Sequence, residues 1–292
     1  MTTTSLTPES AAQRACTAWG LSARDISPLR AHATSVYLLP HADAVVRVSR
    51  DGQRTPIQRA VALTRWLADQ GLEVTEPLDV PQPLDVHGYV ISAWRHYPQP
   101  DGPPPGPEHL GQLLRRLHQL PDPPIELPSY RPHTALRRVV ESSATLERSD
   151  REWILGRSAD LLDAYAQLEF PLGQGLVHGD AYPGNTLWHG TAARLGDWDE
   201  AAIGPREVDL ANTFQGVRFG RTATQLRAFS DAYGYDLSDW SALSVLTELR
   251  DLHTLGSFIR RASMGDHDAA AQLAFRLDTL RYGDRTKSWA IH

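Results

Sequence analysis

Three side chains suited to metal and proton chemistry stand close together in this sequence. His178-Gly179-Asp180 is followed five residues on by Asn185, and a second aspartate follows in Gly196-Asp197-Trp198-Asp199. The apolar run Gly175-Leu176-Val177 reads as a strand entering the loop that carries Asp180. Two further apolar runs, 186–188 and 194–196, flank His189-Gly190-Thr191-Ala192-Ala193 and predict a β-hairpin. Centred on Thr191, that hairpin sets Trp188 opposite Arg194 and Asn185 opposite Asp197, with Cβ atoms roughly 4.5–5.5 Å apart. Two aspartates and an asparagine meeting at one point offer the hard oxygen ligands that Mg²⁺ takes together with waters and phosphate oxygens. A carboxylate outside the metal set can accept a hydroxyl proton.

A lone His-Gly-Asp carries little information, since an aspartate in a turn is commonly an Asx-turn or a helix cap. The combination is far more specific: H-x-D-x-x-x-x-N with a second Asp about a dozen residues later is the arrangement of the kinase catalytic loop. HGDxxxxN followed by GDWD resembles the aminoglycoside phosphotransferase family of kinase-like small-molecule phosphotransferases, most closely over residues 176–212. The resemblance implies an α+β, bilobal protein-kinase-like fold. Its small N-lobe would have an antiparallel sheet plus a helix, and its larger C-lobe would be mostly helical. It implies Asp180 as catalytic base, Asn185 and Asp197 as metal ligands, and His178 as a structural loop residue. Asp209, in Gly204-Pro-Arg-Glu-Val-Asp209, would hold the loop through backbone contacts. The implied cofactors are ATP or GTP and Mg²⁺, and the implied partner is a small-molecule hydroxyl acceptor. Aminoglycosides give the family its name, but macrolides, choline, homoserine and sugars are also acceptors within it.

The elements that must position these residues are legible in order. Residues 7–19 predict a short helix ended by Gly20, and 26–31, 35–39 and 44–49 predict three strands. Between the first two strands stands Ala31-His32-Ala33-Thr34-Ser35, which contains no glycine to shape a phosphate loop. The third strand holds Arg47 between Val46 and Val48, where a kinase places its phosphate-binding lysine. A cation among apolar neighbours needs a phosphate or a carboxylate partner. Residues 56–70 predict a helix burying Ile57, Ala60, Val61, Leu63, Thr64 and Leu67. Ala60 stands where family members commonly have the glutamate that pairs with the third-strand cation, so Asp197 or a loop carboxylate is the substitute expected. Residues 78–91 suggest two more strands, with Ala93 and Trp94 entering the interlobe connection. By resemblance that segment offers backbone groups to the nucleotide base. The proline-rich stretch 98–107 cannot continue a helix or strand, which divides the chain into 1–97, an N-lobe and hinge, and 98–292, a catalytic and acceptor-binding C-lobe. Helices are predicted at 108–120, 134–146, 150–168, 222–233, 238–262 and 267–282, with Trp240, Phe258 and Phe275 in the core.

Composition narrows the class. The 292 residues are 41% hydrophobic with eight tryptophans, enough for substantial cores. A net charge of −6 and the absence of a dense basic run argue against nucleic-acid binding. Residues 93–220 carry 17 acidic and 12 basic side chains, so the acidic surplus lies with the motif. Cys16 is the only cysteine, which suits a reducing compartment. No run approaches a membrane span and the N-terminus lacks a signal pattern, so a cytoplasmic monomer or homodimer is expected. A primary-metabolite phosphotransferase and a nucleotide-binding pseudokinase are the alternative functions.

Overall fold

The computed structural model describes residues 6–31, 34–50 and 53–290. In chain order the first elements are α1 (Pro8–Trp19), β1 (Ser27–Ala31), β2 (Ser35–Leu39), β3 (Ala44–Arg50), α2 (Arg54–Asp69), β4 (Leu84–Val86) and β5 (Tyr89–Arg95). There follow α3 (Pro107–Leu117), α4 (Thr134–Ser142), α5 (Arg148–Ala166), β6 (Gln174–Val177), β7 (Thr186–His189), β8 (Ala192–Leu195) and β9 (Ala202–Pro205). The chain ends with α6 (Glu207–Gln215), α7 (Ala223–Tyr233), α8 (Leu243–Ser263) and α9 (His267–Arg281).

The chain forms two compact units. The first comprises Met1–Pro105, Gln119–Leu127 and Gly184–Ala201, and the second Gly106–His118, Pro128–Pro183 and Ala202–His292. In the first unit an antiparallel sheet runs in the order β1-β2-β3-β5-β4. Its strand alternation sorts the side chains between two layers. Val46, Val48, Ile91 and Ala93 pack with Ala11, Ala12, Ala15 and Cys16 of α1. On the other face Val45 and Trp94 pack with Ile57 and Val61 of α2. Burial pushes the Cys16 thiol up to about 11, so it is an inert core residue. The buried face of α2 is Ile57, Ala60, Val61, Leu63, Thr64 and Leu67, the set its periodicity predicts.

The β7–β8 hairpin belongs to this unit and joins it through backbone bonds. Thr75 N–H donates to Leu195 O at 3.0 Å, and Leu195 N–H donates to Glu73 O at 2.9 Å. Arg194 adds hydrogen bonds to Val74 O at 2.8 Å and Glu76 Oε1 at 2.6 Å.

The second unit is helical except for the antiparallel pair β6–β9. α3 begins at Pro107 after Gly106, with Pro at the first turn as the rigid φ favours. It buries Leu110, Leu113, Leu114 and Leu117. Its close partner is α7, and the approach needs Gly111, because a Cβ there would lie 2.6 Å from the carbonyl oxygen of Phe229. Of the aromatics expected in the core, Phe258 is buried but Phe275 is exposed on α9. The last helix turns that residue outward, which a period of 3.6 read without knowing α8's position does not reveal. Among the described residues no helix is long and apolar enough to cross a membrane.

Two local expectations change. The hairpin is joined by the two-residue turn Gly190-Thr191, so Leu187 faces Arg194 and Trp188 faces Ala193. Gly190 has φ +62, which a glycine at the first turn position accepts. The register is one residue away from a hairpin centred on Thr191, and Asn185 meets Gly196 instead of Asp197. Of residues 78–91, only Leu84–Val86 and the start of β5 are strand. Pro81 and Pro83 interrupt the ladder before them, since proline supplies no N–H.

Candidate active site

The loop that carries Asp180 follows β6. His178 is fully buried, and its Nδ1 accepts from the Asp180 N–H at 3.3 Å. The start of this loop's backbone, just before Asp180, is gripped by one carboxylate. Asp209, in the first turn of α6, accepts from His178 N–H at 2.7 Å and from Gly179 N–H at 2.8 Å. His118, just beyond α3, lies 3.1 Å from the same carboxylate through Nε2 and 2.9 Å from the Tyr233 hydroxyl through Nδ1. Since an ionised carboxylate only accepts, Nε2 is the donor. Burial, then the charge of Asp209, raises the Tyr233 phenol and keeps it protonated. The backbone contacts of Asp209 follow the family pattern. His118 and Tyr233 behind it carry no sequence signal, being a histidine after one helix and a tyrosine at the end of another.

Asp180 itself is ion-paired to Arg250 of α8. Arg250 also lines a pocket in the second unit together with His133, Asn212, Leu249 and His253. The cavity volume is about 20 Å³, enough to admit a small polar group. His133 is committed elsewhere: its Nδ1 lies 2.7 Å from Ser158 Oγ, and its Nε2 donates to Leu249 O at 2.8 Å. Burial lowers its pKa, so the ring is the neutral tautomer with the proton on Nε2. His253 is pushed down to about 3, first by burial and then by the charge of Arg250. Asn212 is buried, and its Nδ2 has no acceptor among the described residues. Arg250 and this pocket escaped sequence reasoning because Arg250 sits on an ordinary amphipathic helix and the lining is gathered from three separate stretches of the chain.

In the first unit, Asn185 and Asp197 terminate the two strands of the hairpin. Gly196 N–H donates to Asn185 O at 2.8 Å, which holds the two ends together. Asp197 adopts the left-handed conformation, φ 64 and ψ 61, ahead of a single 3₁₀ turn, Trp198–Glu200. That turn packs on α2, with Trp198 buried and its Nε1 donating to Leu195 O at 3.0 Å. Arg47 extends from β3 to the same place. Its Nη2 lies 2.6 Å from Asp199 Oδ2 and 3.3 Å from Asp197 Oδ1. Burial alone would lower the Arg47 pKa, but the charges of Asp199 and Asp197 outweigh it and raise the value. The carboxylate missing from α2 is therefore supplied by the loop after β8. Asp199 takes the larger part.

Ala93 and Trp94 lie inside β5, opposite Val46 and Val45, and not in a connection. The Ala93 N–H donates to Gln82 Oε1 at 2.8 Å, and its carbonyl accepts from Leu78 N–H at 2.9 Å. Its backbone groups are thereby committed. Trp94 is buried in the core under α2, with Nε1 donating to Ser92 Oγ at 2.8 Å. In the turn between β1 and β2, His32 and Ala33 lie outside the described residues, and the Thr34 hydroxyl is 3.4 Å from that of Ser49.

Among the described residues no three His, Cys, Asp or Glu side chains form a ready metal cluster. An amide and one carboxylate at the hairpin mouth nevertheless suit Mg²⁺, which takes few protein ligands and keeps waters and phosphate oxygens.

Solved structures share this fold. An amicoumacin kinase in complex with AMP-PNP, Ca²⁺ and Ami is 16% identical with a TM-score of 0.72, covering 96% of this chain and 94% of that one. A microcompartment-associated aminopropanol kinase is 18% identical with a TM-score of 0.68, covering 94% and 97%. A spectinomycin phosphotransferase in complex with ADP and spectinomycin is 17% identical with a TM-score of 0.66, covering 92% of each chain. No curated protein matches the chain by sequence. The architecture is that of a kinase-like small-molecule phosphotransferase. The family model of the phosphotransferase enzyme family (APH) matches residues 25–246, and the chain belongs to that family.

Proposed function

We propose that this enzyme transfers the γ-phosphoryl group of ATP or GTP to a hydroxyl of a small molecule, an antibiotic or a primary metabolite. The observation that carries the proposal is the grip of Asp209 on His178 and Gly179, which fixes the backbone immediately before Asp180. A side chain on so constrained a loop can be held within hydrogen-bond reach of an acceptor hydroxyl, where it orients the oxygen and takes its proton as the bond to phosphorus forms. Asn185 and Asp197 would hold Mg²⁺, which offsets phosphate charge when bound. Arg47, set by Asp199, supplies a fixed guanidinium for phosphate oxygens.

A second reading, a nucleotide-binding module without transfer, draws on the ion pairing of both Asp180 and Asp197 with arginines. Calorimetry and acceptor screening separate the two. Wild-type protein should bind nucleotide only with Mg²⁺ and release ADP or GDP with a suitable hydroxylated acceptor, and Asp197→Ala should lose the Mg²⁺-dependent binding. Metal-independent binding with no product from a broad acceptor panel would favour the second reading.

A further inference from the structure

The pocket beside Asp180 has a chemical character that restricts the acceptor. Its charged group is Arg250, and none of the described residues that line it is acidic. Val208, Ala211, Leu246 and Leu249 supply apolar walls. Burial holds His253 and His133 neutral, so they neither repel a cation strongly nor replace a carboxylate in attracting one. Asn212 adds a buried N–H donor with no acceptor among the described residues, and such a donor is costly to leave unpaired. Arg250 is mostly buried at its side chain and shares its charge with Asp180. A planar guanidinium and an amide donor in an apolar cleft are complementary to a carboxylate, which accepts from both and pairs with arginine through two parallel hydrogen bonds. An ammonium group would meet a cation and an unpaired donor there.

We infer that the pocket lined by Arg250 and Asn212 is an anion subsite, and that the acceptor is a small hydroxylated carboxylate whose acid group engages Arg250 beside Asp180. The assignment rests on the phosphotransferase reading for the hydroxyl, but the anion subsite is defined by the pocket itself. It disfavours polycationic aminoglycosides and amino alcohols as acceptors. It also gives Arg250 a positioning role: a carboxylate that draws on the guanidinium loosens its hold on Asp180 when the acceptor is present.

The test uses the full chain with a non-hydrolysable nucleotide and three isosteric probes: β-hydroxybutyrate, β-hydroxybutyramide and the corresponding amino alcohol. Binding is followed by calorimetry and turnover by release of nucleoside diphosphate. The acid should bind about ten-fold or more tightly than the amide or the amino alcohol, the scale of one charge-assisted pair. Arg250→Gln should bring acid and amide to similar affinity, and Arg250→Lys, which keeps the charge but not the fork, should retain part of the preference. Unchanged unfolding midpoints and nucleotide affinity would show that both variants are folded. Equal or tighter binding of the amino alcohol, no binding of the acid, or an acid affinity unaffected in both variants would overturn the anion subsite. Phosphorylation of the amino alcohol but not the acid would likewise overturn it while leaving the phosphotransferase reading intact. Selective binding of the acid without transfer to any probe or broader acceptor would uphold the subsite and count against the phosphotransferase reading.

Discussion

Arg47 contacts two aspartates, Asp197 and Asp199, and the proposed chemistry gives them different work. The shorter contact is to Asp199, so Asp199 is the anchor, which leaves Asp197 as the proposed metal ligand. Arg47→Ala should weaken nucleotide binding by about 1.5–3 kcal/mol, the scale of a hydrogen bond to a charged group. Asp199→Ala should cost about 1 kcal/mol through lost positioning, and Arg47→Lys should fall between wild type and Arg47→Ala because lysine lacks the fork. Calorimetry with Mg²⁺-nucleotide reads all three; an Asp199→Ala loss larger than that of Arg47→Ala would reverse the assignment. His253 gives a pH signature. Its folded pKa, about 3, lies below its ordinary 6.5, so the unfolded state binds a proton first on acidification. Its contribution to stability is fully present above about 6.5 and is lost as pH falls from there toward about 3. His253→Gln should flatten that part of a stability-versus-pH curve measured by urea unfolding. A curve of unchanged steepness would mean that other groups set it.

The packing of α3 on α7 makes a prediction at the scale of elements. A Cβ on Gly111 would also meet Ala232 Cβ at 3.1 Å and Tyr233 N at 3.2 Å, two of three contacts being backbone atoms that cannot rotate away. Gly111→Ala should therefore destabilise the second unit by about 1–3 kcal/mol as overpacking, measured by chemical denaturation. Because His118 follows α3 and touches Asp209, the same change should broaden the amide signals of His178 and Gly179. Elements with strong periodicity were legible in the sequence: α2's buried face is read correctly residue by residue, and β2 has the predicted limits. The hairpin itself was legible, but its register was not, since a five-residue spacer admits turns on either side of Thr191 and a slip of one residue reverses every side chain. β5 runs through Ala93 and Trp94 because β3 pairs with it there, and Gln82, outside any strand, closes the Ala93 backbone groups on the other side. The motif residues were legible because their spacing is local. Arg250, His118 and Asn212 were not, because each depends on contacts between distant parts of the chain. For Arg47 the sequence pointed to Asp197 or a loop carboxylate, and both Asp197 and Asp199 take the contact.

At the scale of the molecule, the chain passes repeatedly between its two units, and the motif straddles one crossing: Asp180 belongs to the second unit, Asn185 and Asp197 to the first. Membership of the phosphotransferase enzyme family over residues 25–246 fixes the class. The central claim is that Asp180 serves transfer to an acceptor and not nucleotide binding. The measurement that tests it most directly is single-turnover transfer of labelled γ-phosphate from Mg²⁺-nucleotide to a hydroxylated acceptor, comparing wild type with Asp180→Asn. Wild type should place the label on the acceptor oxygen. Asp180→Asn should bind nucleotide within about two-fold of wild type yet transfer about 10²–10⁴-fold more slowly, the range for loss of a positioned base. Label transfer at the wild-type rate in Asp180→Asn would contradict the account.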